Sequence, residues 1–197
     1  AGLRRWSSRT AAGFTSSPSG AAPSTTRGTF LSENRQGRAA ARSSDNWLLG
    51  ALFLAALGLF LWAEARLAGA PGLPLDDSWI HLHFARNVAE GAGFAYNPGR
   101  PVAGSTAPLW TLLLAAVVAV GVPPLWAAKL LGPLLTLATG LVARRLALDL
   151  TGERIAGLLA GAGTLLLGRI TWGALSGMEV GLAALTLESR WMQPLAV

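Results

Sequence analysis

The sequence predicts an all-α integral membrane protein, and three observations carry that prediction. Just over half of the residues are apolar, 52%, and only 13% are charged. The apolar residues gather in runs that approach the ~20 residues needed to cross a bilayer. Glycine, 24 in all, is abundant within those runs, as it is in membrane helices. With no cysteine there is neither a disulfide framework nor a thiolate metal site. A net charge of +6 would suit nucleic acid, but seven of the sixteen basic residues fall in the first 45 positions, ahead of the first apolar run. Membrane topology is the simpler account, and no nucleic-acid partner is expected.

Residues 1–45 mix Ser, Thr, Gly, Ala, Pro and Arg, with Glu33 and Asp45 the only acids. No hydrophobic period runs through them, so a disordered basic tail is expected. An acid-poor, Arg-rich leader also fits an organelle transit peptide, although no amphipathic helix emerges.

Trp47 to Ala63 is uncharged and apolar, bounded by Arg42 and Asp45 before and by Glu64 and Arg66 after. It predicts a first span over about 47–65. A signal peptide cleaved within 63–70 is the competing reading; the long apolar core and the runs that follow favour a retained helix. The upstream arginines place its N-terminus in the cytoplasm. The segment after it, Leu75 to Trp110, then emerges outside.

That segment reads LDDSWIHLHFARNVAEGAGFAYNPGRPVAGSTAPLW. Adjacent carboxylates at the lip of a membrane are costly to place and suggest chemistry. Trp79, Leu82, Ala85 and Ala89 share a face, predicting an interfacial helix over about 78–90 that Asp77 or Ser78 can cap. Gly91 and Gly93 end it, and YNPGRP (96–101) is a turn. His81 and His83, two apart, point to different helix faces and are read as interfacial side chains.

The run over 107–122 is short for a span, whereas 125–145 and 155–174 are long enough. If 107–122 crosses, Arg144, Arg145 and Arg154 lie outside. If it rests in the interface or re-enters, they lie in the cytoplasm, which the positive-inside rule prefers. The second arrangement is adopted, and it puts Ser176-Gly177-Met178-Glu179 on the side of the aspartates. A further helix begins at Val180, and 186–197 is expected to be irregular, as at a truncated or frameshifted end.

Asp76-Asp77, Arg86-Asn87, Gly91-x-Gly93, Tyr96-Asn97-Pro98-Gly99, Gly104-Ser105-Thr106, Pro108-Leu109-Trp110 and Ser176-Gly177-Met178-Glu179 occur in this order. The series resembles the N-terminal part of bacterial GT-C class membrane glycosyltransferases, among them relatives of the protein mannosyltransferases and the actinobacterial arabinofuranosyltransferases. The resemblance spans about residues 46–185. It implies a GT-C-type bundle in the plasma (inner) membrane with interfacial helices in its first external loop. It also implies inverting transfer of a sugar from a polyprenyl-phosphate donor to a glycan or protein hydroxyl outside the cytoplasm.

Asp76, by motif position, is then the base. Asp77 orients the acceptor or holds a divalent cation, Mg²⁺ or Mn²⁺, for which hard oxygen ligands are suited. Glu179 matches a second external acid. Arg86, Lys129 and Arg100 are candidates for the donor phosphate, and Tyr96, Trp79 and Trp110 for stacking on a sugar. The bland readings are helix capping for the aspartates, head-group contact for the cations and an interfacial belt for the aromatics. For the whole chain, the alternatives are a non-catalytic multi-pass membrane protein and an inactive gene fragment. A transporter would carry more mid-span polar groups than Thr136, Thr139 and Thr164.

Overall fold

The computed structural model describes the backbone of residues 24–192 and the side chains of 44–190. Residues 1–41 and 42–197 form separate units; of the first, only the helical course from Ser24 is described. The described elements are helix α1 (Ser24–Ala68), α2 (Asp76–Ala89), strands β1 (Ala95–Asn97) and β2 (Arg100–Pro101), then α3 (Pro108–Ala119), α4 (Pro124–Thr151), α5 (Arg154–Leu166), α6 (Gly168–Leu175) and α7 (Val180–Met192). Of the expected tail, 1–23 lies outside the described residues. From Ser24 the chain is helical, a course that the Ala, Arg and Gln content of 35–42 supports.

Two described helices are long and apolar enough to cross a membrane, 44–68 within α1 and α4. Both correspond to expected spans. Their 25 and 28 residues reach about 37 and 42 Å at 1.5 Å per residue, against a hydrocarbon core of ~30 Å. The face of α1 turned away from the protein carries Trp47, Leu54, Leu59 and Trp62, as a lipid-facing surface would.

Ion pairs at both ends fix the two helices antiparallel. Near the start of the span, buried Asp45 receives Arg144 Nη2 at 2.9 Å and Arg154 Nε at 3.0 Å. Near its end, Glu64 receives Lys129 Nζ at 2.9 Å. The Arg144 end of α4 and the first residue of α5 therefore lie level with the start of the α1 span. That is the arrangement expected when 107–122 does not cross. Helix α3 has 12 residues, about 18 Å, which is too short for a span. It packs instead on α2, where Leu82, Ala85, Trp110, Leu114 and Ala115 form one core with Ala127 and Ala128 of α4.

Where a span is expected over 155–174 there are two helices, together long and apolar enough to cross but bent at their junction, as in a broken span or a re-entrant loop. Helices α5 and α6 meet at 51°, with Leu167 in an extended conformation between them. The break removes helical hydrogen bonds, and the Thr171 hydroxyl, fully buried, donates to the carbonyl of Leu165 at 3.0 Å. Such compensation by Ser and Thr is what allows a helix to bend in lipid.

Glycines let the helices approach closely. A Cβ on Gly132 would lie 2.1 Å from the carbonyl oxygen of Ala174, and one on Gly140 would lie 2.3 Å from Leu165 Cγ. Helix α7 closes on α4 at Gly181, whose carbonyl accepts from Thr139 Oγ1 at 3.2 Å. The expectation of irregular structure over 186–197 is corrected as far as Met192, since Leu185, Leu187, Glu188 and Arg190 continue the helix; 193–197 lies outside the described residues.

Candidate functional site

The linker Pro71 to Leu75 brings the chain from α1 into α2. Leu75 is extended, and the helix starts at Asp76. Asp76 and Asp77 thus occupy the first turn, where the positive end of the helix dipole favours carboxylates. Neither caps the helix, and both are exposed with no hydrogen bond or ion pair to a described residue. Ser78, the other expected cap, reaches across the fold instead. Its hydroxyl donates to the carbonyl of Ser176 at 2.6 Å. A second bond fastens the same turn, from Trp110 Nε1 to the carbonyl of Gly177 at 2.9 Å. Gly177 has φ +84°, and a Cβ there would lie 2.9 Å from Leu73 and 3.0 Å from Ser78. Only glycine fits that corner. These contacts bring the 176–179 turn to the start of α2, as the sequence reading required.

Asp77 and His81 lie four residues apart and so share a helix face. His81, read from sequence as an interfacial side chain, is 1% exposed. Its Nδ1 lies 3.1 Å from Ser105 Oγ and 3.3 Å from Thr111 Oγ1, and the two hydroxyls are 2.8 Å apart. Its Nε2 faces Glu179 Oε2 at 3.7 Å. Both of those atoms are buried without a hydrogen-bond partner. Burial lowers the pKa of the imidazole, while the charges of Glu179 and Asp77 raise it in part. The neutral ring is favoured. The site therefore gathers Asp77, His81 and Glu179, with Asp76 beside them.

Two hollows of about 440 and 430 Å³ adjoin, sharing Trp172 and Ser176 in their walls. The first runs between the end of α1 and α6, lined by Phe60, Leu67, Leu73 and Leu175, with Glu64 and Lys129 as its charged groups. The second is walled by Leu75, Met178, Val180 and Glu179. Asp76 and Asp77 line neither hollow and stand just beyond Leu75.

The remaining candidates are distributed as follows. Lys129 has its side chain 2% exposed, and both Glu64 oxygens accept from its Nζ, at 3.0 and 2.9 Å. Glu64 also accepts from the Gly72 amide at 2.9 Å. Arg86 points outward and pairs with Glu90 at 2.7 Å. Tyr96 lies on β1 with its ring 4.4 Å from that of His83, and its carbonyl takes bonds from Asn87 Nδ2 at 2.9 Å and His83 Nε2 at 2.8 Å. Arg100 is exposed on β2. Trp110 is fully buried in the core, and Trp79 donates to the carbonyl of Leu73 at 3.2 Å. Among the described residues no three His, Asp or Glu side chains gather in a way that could hold a metal ion.

Two participants escaped the sequence reading, His81 and Glu64. The spacing of Asp77 and His81 was the available signal for the first. Glu64 gave none beyond its place at the end of an apolar run. No family model, no curated protein and no solved structure matches the chain.

Proposed function

We propose that this chain carries the external-loop acids of an inverting GT-C-like glycosyltransferase of the plasma membrane, working on its extracytoplasmic side. One observation carries the reading: acidic segments 98 residues apart, joined by the Ser78–Ser176 bond, meet at the same end of the helices. Asp76 and Asp77 are open to a substrate, and Glu179 walls an adjoining hollow. The donor is a polyprenyl-phosphate sugar and the acceptor a hydroxyl of a glycan or protein.

The acceptor oxygen attacks the anomeric carbon while the bond from that carbon to the phosphate oxygen breaks on the opposite face. Asp76 takes the hydroxyl proton, and polyprenyl phosphate leaves as the anion. A carboxylate serves this step when it lies within hydrogen-bond reach of the hydroxyl. Asp77, one residue on, orients the acceptor and is the candidate ligand for a divalent cation; no step above depends on one. Tyr96 is assigned to the sugar. Lys129 and Arg86 are assigned to the phosphate, and each would have to exchange a carboxylate partner, Glu64 or Glu90, for it. That pairing is the observation favouring the alternative, a non-catalytic multi-pass protein.

The test is transfer from a radiolabelled polyprenyl-phosphate sugar by the full-length protein in proteoliposomes. Asp76→Asn is expected to reduce turnover by about 10²–10⁴-fold, the usual worth of a general base, with membrane insertion unchanged. Wild-type turnover in that variant refutes the assignment of the base, and absence of transfer by the wild type refutes the function.

A further inference from the structure

The atoms left over at the centre of the site are His81 Nε2 and Glu179 Oε2. Each is buried, each lacks a hydrogen-bond partner, and they face each other at 3.7 Å. Buried polar atoms of this kind carry a desolvation cost unless something satisfies them. Which proton the ring carries decides whether they can satisfy each other. If Nδ1 held it, the lone pair of Nε2 would face a carboxylate, two acceptors with no hydrogen between them. If Nε2 holds it, its hydrogen faces the Glu179 carboxylate, and Nδ1 accepts from the Ser105–Thr111 hydroxyl pair, which can orient to donate. Only the second assignment sets a donor against an acceptor at both ring nitrogens. A closure of under 1 Å would bring the 3.7 Å approach to the length of a charge-assisted N–H···O bond.

We propose that His81 is a positioning residue for Glu179, its Nε2–H holding the carboxylate against the wall of the second hollow while Ser105 and Thr111 fix the opposite nitrogen. What Glu179 is positioned to do, namely to meet the acceptor beside Asp76 and Asp77, rests on the transferase reading. Among the described residues the charges acting on the ring are Glu179 and Asp77. Helix α3 offers only the Thr111 hydroxyl, and Lys129 of α4 is engaged by Glu64. Nothing in this set competes with Glu179 for the Nε2 proton.

The decisive measurement is ¹⁵N-histidine NMR of the full chain in micelles at pH 8, with His81 identified by the signal lost in His81→Gln. The expected pattern is a protonated Nε2 and a lone-pair Nδ1, with the Nε2–H resonance moved by Glu179→Ala and left in place by Asp76→Asn. A protonated Nδ1, or indifference to Glu179→Ala, overturns the proposal. Transfer assays supply the second readout. His81→Gln retains an amide donor and should keep activity that His81→Leu loses by ~10–100-fold in kcat, as misplacing a reacting group does, with KM little changed. Equal loss in both variants, at wild-type unfolding midpoints, overturns it as well. Should the wild type transfer no sugar, the function fails and the NMR result still decides the positioning.

Discussion

Glu64→Gln offers the sharpest test of how the site end of the bundle is held together. The substitution keeps an oxygen to accept from Gly72 and nearly the same volume, and removes only the charge. It leaves the Lys129 ammonium, 2% exposed, without its counter-ion. Removing one member of a buried pair costs about 3–5 kcal/mol, because the other charge stays desolvated. At ~2–4 °C per kcal/mol for a chain of this size, the unfolding midpoint should fall by about 6–20 °C. The reverse substitution is milder. Lys129→Met leaves Glu64, which is 23% exposed and keeps the Gly72 amide as a donor. The double variant Glu64→Leu with Lys129→Met should recover most of the loss, since apolar groups of similar volume commonly replace a buried pair without penalty. The assay is thermal unfolding in detergent micelles, read by tryptophan fluorescence. If Glu64→Gln costs less than about 1 kcal/mol, the range of an exposed pair, or if Lys129→Met is the more damaging, the buried-pair reasoning is wrong.

Gly132→Ala should destabilise the fold by about 1–3 kcal/mol or more, because its Cβ would meet the Ala174 carbonyl at 2.1 Å; Gly163→Ala, with nothing within 4 Å, should be neutral or mildly stabilising in the same unfolding assay. The folded pKa of His81 lies below its ordinary value of ~6.5, so the unfolded chain binds that proton first. Its contribution to stability is therefore present above pH ~6.5 and lost as pH falls through the folded pKa; midpoints measured from pH 7.5 to 5 should fall in the wild type and less steeply in His81→Gln. Arg100→Cys and Thr151→Cys, both exposed, should react with an impermeant maleimide from opposite sides of the membrane, and labelling from the same side would overturn the topology.

What the sequence displayed legibly was hydrophobic run length. A stretch such as 47–65 has few alternatives to a span, and the 12 residues of α3 are too few for one whatever packs on them. The arginines at 144, 145 and 154 ordered the helix ends correctly relative to Asp45, although the buried pairing of Asp45 itself left no trace in the pattern. The break at Leu167 was hidden because Leu-Leu-Leu-Gly continues the apolar run, and only Thr171, six residues beyond Leu165, marks the repair. At the site, the closeness of the 76–79 and 176–179 segments followed from topology. The partners of Lys129, Arg86 and His81 did not, since each depends on a rotamer and a neighbour distant in sequence or one turn away. The helix over 186–192 rests on the propensity of Leu187, Glu188 and Arg190, a signal that apolar run length does not carry.

The turn that bears Glu179 is fastened through main-chain oxygens, those of Ser176 and Gly177, gripped by Ser78 and Trp110. Any amino acid supplies a carbonyl, so the joint takes no account of which side chains stand at 178 and 179. Those two positions can drift, or be shuffled by an experimenter, without unfastening the loop. Substitution at either position therefore leaves the anchorage, dictated from α2 and α3, in place.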